Sequence, residues 1–201
     1  MRKPDRSPTG RPGHLAPGVL VLVIVALVVS ACATGSPLVP TPQSTDGLAG
    51  APSAQPVPVG VRVPAIGIDE TQMLALGITA DGSAEVPQDF ARVGWFENGG
   101  APGGRSPTVL LGHVDSRAGP AVFYDLRDLA PGDPIEVPMS NGNGARYTVD
   151  RLEQVPKDEF PTFAVFGATA DDVLRLVTCA GDFDRGARSY VDNLVVHASR
   201  V

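Results

Sequence analysis

Val173-Leu174-Arg175-Leu176-Val177-Thr178-Cys179 runs without a break in apolar and β-branched character, then gives way to Ala180-Gly181-Asp182-Phe183-Asp184. A short run of this composition, closed by a glycine turn, has the length of a strand rather than of a helix. Working outward, similar runs predict strands at Val61–Val63, Met73–Leu76, Arg92–Phe96, Thr108–Asp115, Ile135–Pro138, Arg146–Val155 and Tyr190–Ala198. Gly and Pro turns separate them, and the spacing predicts a mostly β domain built as an antiparallel barrel or sandwich. Ala121–Leu129 spaces Val122, Leu126 and Leu129 as a helix would and stops at Pro131-Gly132, which predicts one short helix or turn.

The same strand ends on a thiol. Cys179 at a strand terminus is presented to solvent at the mouth of a barrel, where a thiolate can act as a nucleophile. The alternative for any free cysteine is a buried, inert side chain. Val109-Leu110-Leu111-Gly112-His113-Val114-Asp115-Ser116 ends a second apolar strand on an imidazole, the side chain best suited to exchanging protons near neutral pH. One cysteine and one distant histidine are the sequence form of a thiol nucleophile with its acid-base partner. His14 lies in the basic leader and His197 in the final strand, where packing is the ordinary role.

The chain has 201 residues, room for one ordinary domain plus accessory segments, with 23 Gly, 20 Pro and a formal net charge of -6. That charge argues against nucleic acid as a partner, because phosphate binding needs clustered Lys and Arg. No glycine-rich phosphate loop follows a strand, so neither nucleotide nor any other cofactor is expected. A metal-dependent hydrolase using His113 and Asp115 lacks a third ligand at sensible spacing, so no metal is expected.

The N-terminus reads as an export segment. Arg2, Lys3, Arg6 and Arg11 precede an apolar stretch from Leu15 to Ala33, and the basic residues tend to remain inside. Val29-Ser30-Ala31-Cys32 is similar to the lipobox of bacterial lipoproteins, with Cys32 the lipidated residue; the alternative is an uncleaved signal anchor. Residues 34–58, rich in Pro, Ser, Gly and Thr, have too little apolar surface to offset ordering and read as a disordered linker. Residues 59–201 then form the catalytic domain, held at the extracytoplasmic face of the membrane.

Leu176-Val177-Thr178-Cys179 resembles the Leu-x-Thr-Cys signature of sortases. Gly112-His113-Val114-Asp115-Ser116 followed by Gly119-Pro120-Ala121-Val122-Phe123 is similar to the actinobacterial class F branch, as are Val93-Gly94-Trp95-Phe96, Leu129-x-Pro131-Gly132-Asp133 and Ser189-Tyr190-Val191-Asp192-Asn193-Leu194-Val195-Val196. The resemblance implies an eight-stranded sortase-like β-barrel with one or two short helices. It further implies a cysteine transpeptidase that cleaves a Leu-Pro-x-Thr-Gly-like sorting signal of secreted proteins after Thr. Cys179 would form the thioacyl enzyme, His113 would protonate the departing amine and deprotonate the incoming one, and Thr178 would contact substrate. The acceptor implied is the amine of a peptidoglycan precursor.

An arginine is implied as a hydrogen-bond donor to the substrate and the oxyanion. Relatives carry it between the Tyr and the Asp-Asn of the last motif, where this chain has Val191. Arg188 is the expected replacement, as the residue just before the final strand, with Arg185 the alternative. A catalytically idle cell-surface binding lipoprotein that keeps the same barrel is the competing functional reading.

Overall fold

The structure, a computed structural model, describes residues 55–201. The export segment 1–33, Cys32 and nearly all of the 34–58 linker lie outside the described residues.

The chain forms β1 (Val61–Val63), β2 (Ile68–Glu70), β3 (Leu74–Leu76), β4 (Gly94–Phe96), β5 (Thr108–Leu111), β6 (Asp115–Ser116) and β7 (Gly119–Pro120). These are followed by β8 (Pro134–Pro138), β9 (Gly144–Pro156), the one α-helix among the described residues, α1 (Thr162–Phe166), then β10 (Val173–Asp184) and β11 (Ser189–Arg200). Nine strands make one sheet in the order β2-β1-β8-β9-β11-β10-β5-β4-β3, while β6 and β7 pair separately. The edge strands β2 and β3 are separated by only Thr71-Gln72-Met73, and the Met73 amide donates to the Val59 carbonyl at 3.0 Å. The edges are therefore held near each other, and the sheet curls into a half-barrel.

The fold is mostly β with few helices, as expected, but two strand pairs differ from the antiparallel expectation. β10 runs parallel to β5 and β3 runs parallel to β4. A parallel central strand is covered on both faces, which explains why β10 is apolar at successive positions rather than alternate ones. Leu174 and Leu176 enter one core with Tyr147, Phe123 and Leu110, whereas Val177 enters a second with Leu111, Val165 and Phe96. Tyr147 is 0% exposed, and its hydroxyl is satisfied by donating to Asp172 at 2.7 Å.

The helix expected over Ala121–Leu129 is a 3-10 turn, Tyr124–Asp128, which buries Leu126. The short helix α1 caps the second core through Val165 and was invisible to periodicity, being barely one turn long. β2 was likewise missed, because two of its three residues are charged and form an edge.

Candidate active site

Parallel pairing aligns Leu111 of β5 with Val177 of β10, and the Gly112 amide donates to the Val177 carbonyl at 3.3 Å. Two residues beyond each partner lie His113 and Cys179. His113 lies just past the end of β5 and Cys179 within β10, so the register sets them on neighbouring parallel segments, with the His113 ring lining a hollow with Leu74, Leu76, Pro87 and Phe90. Gly112 must be a glycine, since a Cβ there would stand 2.7 Å from the Phe123 ring, which packs directly beneath this turn.

His113 is half-buried and held by its surroundings. Its Nε2 lies 2.6 Å from the Pro87 carbonyl oxygen, an acceptor only, so Nε2 carries the hydrogen and Nδ1 is the unprotonated nitrogen of the neutral ring. The ring packs on Phe90 at a centroid separation of 4.3 Å. Pro87 and Phe90 belong to the connection between β3 and β4. That segment is fixed by the Arg92–Glu70 ion pair at 2.9 Å and by the Val122 amide donating to the Phe90 carbonyl at 3.1 Å.

Cys179 is half-buried, and it is the free cysteine among the described residues. Its cross-strand partner on β11 is Asn193, so the two side chains share one face. A groove of about 560 Å3, which does not include Cys179, is lined by Leu111, Val177 and Asn193 together with Lys157, Phe160 and Phe166 of the β9–β10 connection. Cys179 itself lines a separate cleft of about 500 Å3, together with Thr178, Leu194, Tyr190, Asp115 and Arg127. There the Tyr190 hydroxyl donates to the Asp115 carboxylate, and this bond, with the neighbouring negative charge, pushes the phenol up to about 12. Arg127 is turned onto Tyr124, donating from Nε to its carbonyl at 3.0 Å and lying 4.3 Å above its ring.

The structure thus brings His113 and Cys179 to one end of the sheet. It does not bring Arg188 or Arg185 there. β10 and β11 stay paired past the thiol to Asp184↔Ser189, with a bulge between Ala180 and Phe183. Gly181, at φ +76, makes that bulge, and a Cβ on it would strike the Asp192 carboxylate at 2.5 Å. Both arginines therefore sit in the exposed hairpin tip, and Arg188 is five positions from Asn193, roughly 16 Å along the strand. The tip is ordered by Asp184, which accepts from the Gly186 amide at 2.7 Å and the Ala187 amide at 3.1 Å. Thr178 is buried on the face away from the groove, and its hydroxyl has no hydrogen-bond partner. Asn193 and Arg127 are not singled out by the sequence; the register that pairs Asn193 with Cys179 and the cleft that Arg127 shares with the thiol bring them out.

Comparison with known proteins gives the arrangement a context. The family model described as "Sortase domain" matches residues 61–201. Among solved structures, Streptococcus agalactiae sortase C1 in complex with MTSET is similar at 23% identity and a TM-score of 0.54, over 71% of this chain and 67% of that one. Corynebacterium diphtheriae sortase A is similar at 22% identity and a TM-score of 0.54, over 72% of this chain and 60% of that one. Streptococcus suis sortase C1 follows at 19% identity and a TM-score of 0.53, over 72% of each. The chain thus spans about two thirds of the length of these proteins, and the likeness is one of fold. No curated protein matched the sequence.

Proposed function

The chain belongs to the sortase family of cysteine transpeptidases, and on that basis we propose that Cys179 is its nucleophile and His113 the acid-base partner. The observation that carries this reading is the parallel register of β5 and β10, which pairs Leu111 with Val177 and so sets His113 and Cys179 at matching positions on neighbouring segments. The substrate we propose is a Leu-Pro-x-Thr-Gly-like sorting signal on a secreted protein, with the cleft that Cys179 lines together with Val114, Phe123 and Leu194 receiving its leading residues. Apolar walls bury such side chains, and their binding energy can be used to hold the scissile carbonyl at the thiol.

In the reaction, the Cys179 thiol passes its proton to the neutral His113 imidazole, its sulfur bonds to the Thr carbonyl carbon and the carbonyl π pair moves onto oxygen. Collapse restores the double bond and breaks the C–N bond to Gly, whose amine takes its proton from the His113 imidazolium. The neutral imidazole then accepts a proton from the incoming amine, which displaces the sulfur. We propose a peptidoglycan precursor as the source of that amine, a class F-like placement within the family, and an extracytoplasmic enzyme tethered by its N-terminal segment. The class F-like motifs around His113 and Tyr190 support the placement, and Thr178, which lines the cleft beside Cys179, is the proposed substrate contact. If Cys32 is lipidated, Cys32→Ser abolishes lipid labelling and signal removal in cells; an unlabelled wild type of unchanged size instead identifies a plain anchor.

The test is transfer itself. The enzyme, incubated with a fluorogenic Leu-Pro-Ala-Thr-Gly peptide and a short glycyl amine, yields the ligated peptide. Cys179→Ala and His113→Ala yield none while keeping the wild-type unfolding midpoint. Wild-type turnover in Cys179→Ala rules the assignment out.

A further inference from the structure

When the sulfur attacks, negative charge gathers on the substrate carbonyl oxygen, and a single donor aimed at that oxygen commonly supplies about 10²–10³ in rate. The donor has to stand on the cleft that holds the thiol. Besides the thiol, five described side chains on that cleft carry an N–H or O–H: Tyr124, Arg127, Gln154, Thr178 and Tyr190. Two of them are engaged elsewhere. Tyr190 donates to the Asp115 carboxylate, and Gln154 donates from Nε2 to Asp192 at 2.6 Å. Thr178 has a buried hydroxyl without a partner, but Arg127 alone among these lining residues brings a positive charge.

Local structure places the guanidinium. The 3-10 turn Tyr124–Asp128 buries Leu126 in the core and leaves the next residue, Arg127, exposed at the cleft. Its Nε donates to the Tyr124 carbonyl at 3.0 Å and its planar end lies 4.3 Å above the Tyr124 ring, while its two terminal nitrogens make no hydrogen bond or ion pair among the described residues. The Tyr190 hydroxyl relates it to the thiol. Behind the dominant Asp115 hydrogen bond and burial, a charge on Cys179 raises this phenol and the charge on Arg127 lowers it, so one hydroxyl stands near both groups. The same hydroxyl ties β11 to Asp115, two residues beyond His113. Asp115 is the one carboxylate among the described lining residues, and it is held by the phenol rather than by Arg127. The cation is thereby left for a substrate oxygen.

We propose that the terminal N–H groups of Arg127 receive the oxyanion formed at Cys179, with the Thr178 hydroxyl as a second donor on the same cleft. This assignment rests on the nucleophile proposed above. Arg127 exchanges no proton: its hydrogen bonds tighten as the carbonyl π pair moves onto oxygen and relax when the pair returns and the C–N bond breaks. A guanidinium stays charged wherever the thiol reacts, and Tyr124 already fixes its plane, so little freedom is lost when the substrate covers it.

The test uses the full-length chain in detergent, with the fluorogenic Leu-Pro-Ala-Thr-Gly peptide and a Leu-Pro-Ala-Thr aldehyde that forms a tetrahedral hemithioacetal on the thiol. Arg127→Met is expected to lower kcat by about 10²-fold with KM nearly unchanged, and to weaken the aldehyde by a similar factor. Alkylation of Cys179 by iodoacetamide, which forms no oxyanion, should stay within about three-fold of wild type, and the urea midpoint should not move, because Arg127 is exposed. Arg127→Lys keeps the charge without the planar fork and should recover less than about a tenth of turnover. Arg185→Ala and Arg188→Ala stay within a few-fold. Arg127→Met turnover within three-fold of wild type, or an equal fall in alkylation and turnover, overturns the assignment alone. A wild type that neither cleaves the peptide nor binds the aldehyde overturns the nucleophile reading and this one with it.

Discussion

His113 donates its Nε2–H to the carbonyl of Pro87 at 2.6 Å, across 26 residues of sequence, and its ring lies against Phe90. The acid-base group is thus positioned by the β3–β4 connection rather than by its own strand. Phe90 is 46% exposed, so its loss removes little core. Phe90→Ala is therefore expected to lower peptide cleavage by roughly ten-fold through a misplaced imidazole while the unfolding midpoint barely moves. Steady-state cleavage and urea denaturation of the same samples check this; unchanged turnover would detach Phe90 from the site.

Arg188 is held at φ +51, the left-handed region that costs a non-glycine residue. Arg188→Gly relieves that strain and is expected to stabilise the domain by a few tenths to about 1 kcal/mol. It should leave cleavage within a few-fold of wild type, because the tip stands far from the thiol. Urea midpoints and cleavage rates measure the two effects together. A hundred-fold loss of turnover would give the oxyanion role to Arg188.

The distance between those two outcomes shows where the sequence stopped being informative. The strand leading to Cys179, the Gly112-His113 turn and the mostly β class were legible because each depends on local composition. The parallel pairing of β5 with β10 was not, since it is set by contacts between segments far apart in the chain. Ending the strand at Cys179 brought Arg188 close on paper. The bulge at Gly181 instead lets β10 continue to Asp184, and the extra residues carry the arginine away.

His197 is 3% exposed, with its Nε2 2.8 Å from the Glu153 carboxylate. Burial, reinforced by the guanidinium groups of Arg175 and Arg151, pushes the imidazole down to about 4. The folded protein keeps this ring neutral while the unfolded chain protonates it below about 6.5. Stability is therefore fully present above about pH 6.5 and is lost as the pH falls toward 4, by on the order of 1 to 3 kcal/mol. The urea midpoint followed from pH 7 to pH 4 reads this slope, and His197→Gln should flatten it. An identical slope in the variant would place the titrating group elsewhere.

The covalent intermediate tests the central claim most directly. Wild-type enzyme quenched during turnover of the fluorogenic Leu-Pro-Ala-Thr-Gly peptide, then digested and weighed by mass spectrometry, should carry the Leu-Pro-Ala-Thr acyl group on Cys179 and on no other residue. The adduct should accumulate when the acceptor amine is left out and should disappear when it is added. Cleavage with no acyl mass on Cys179, or a Cys179→Ala variant that still cleaves, would contradict the account.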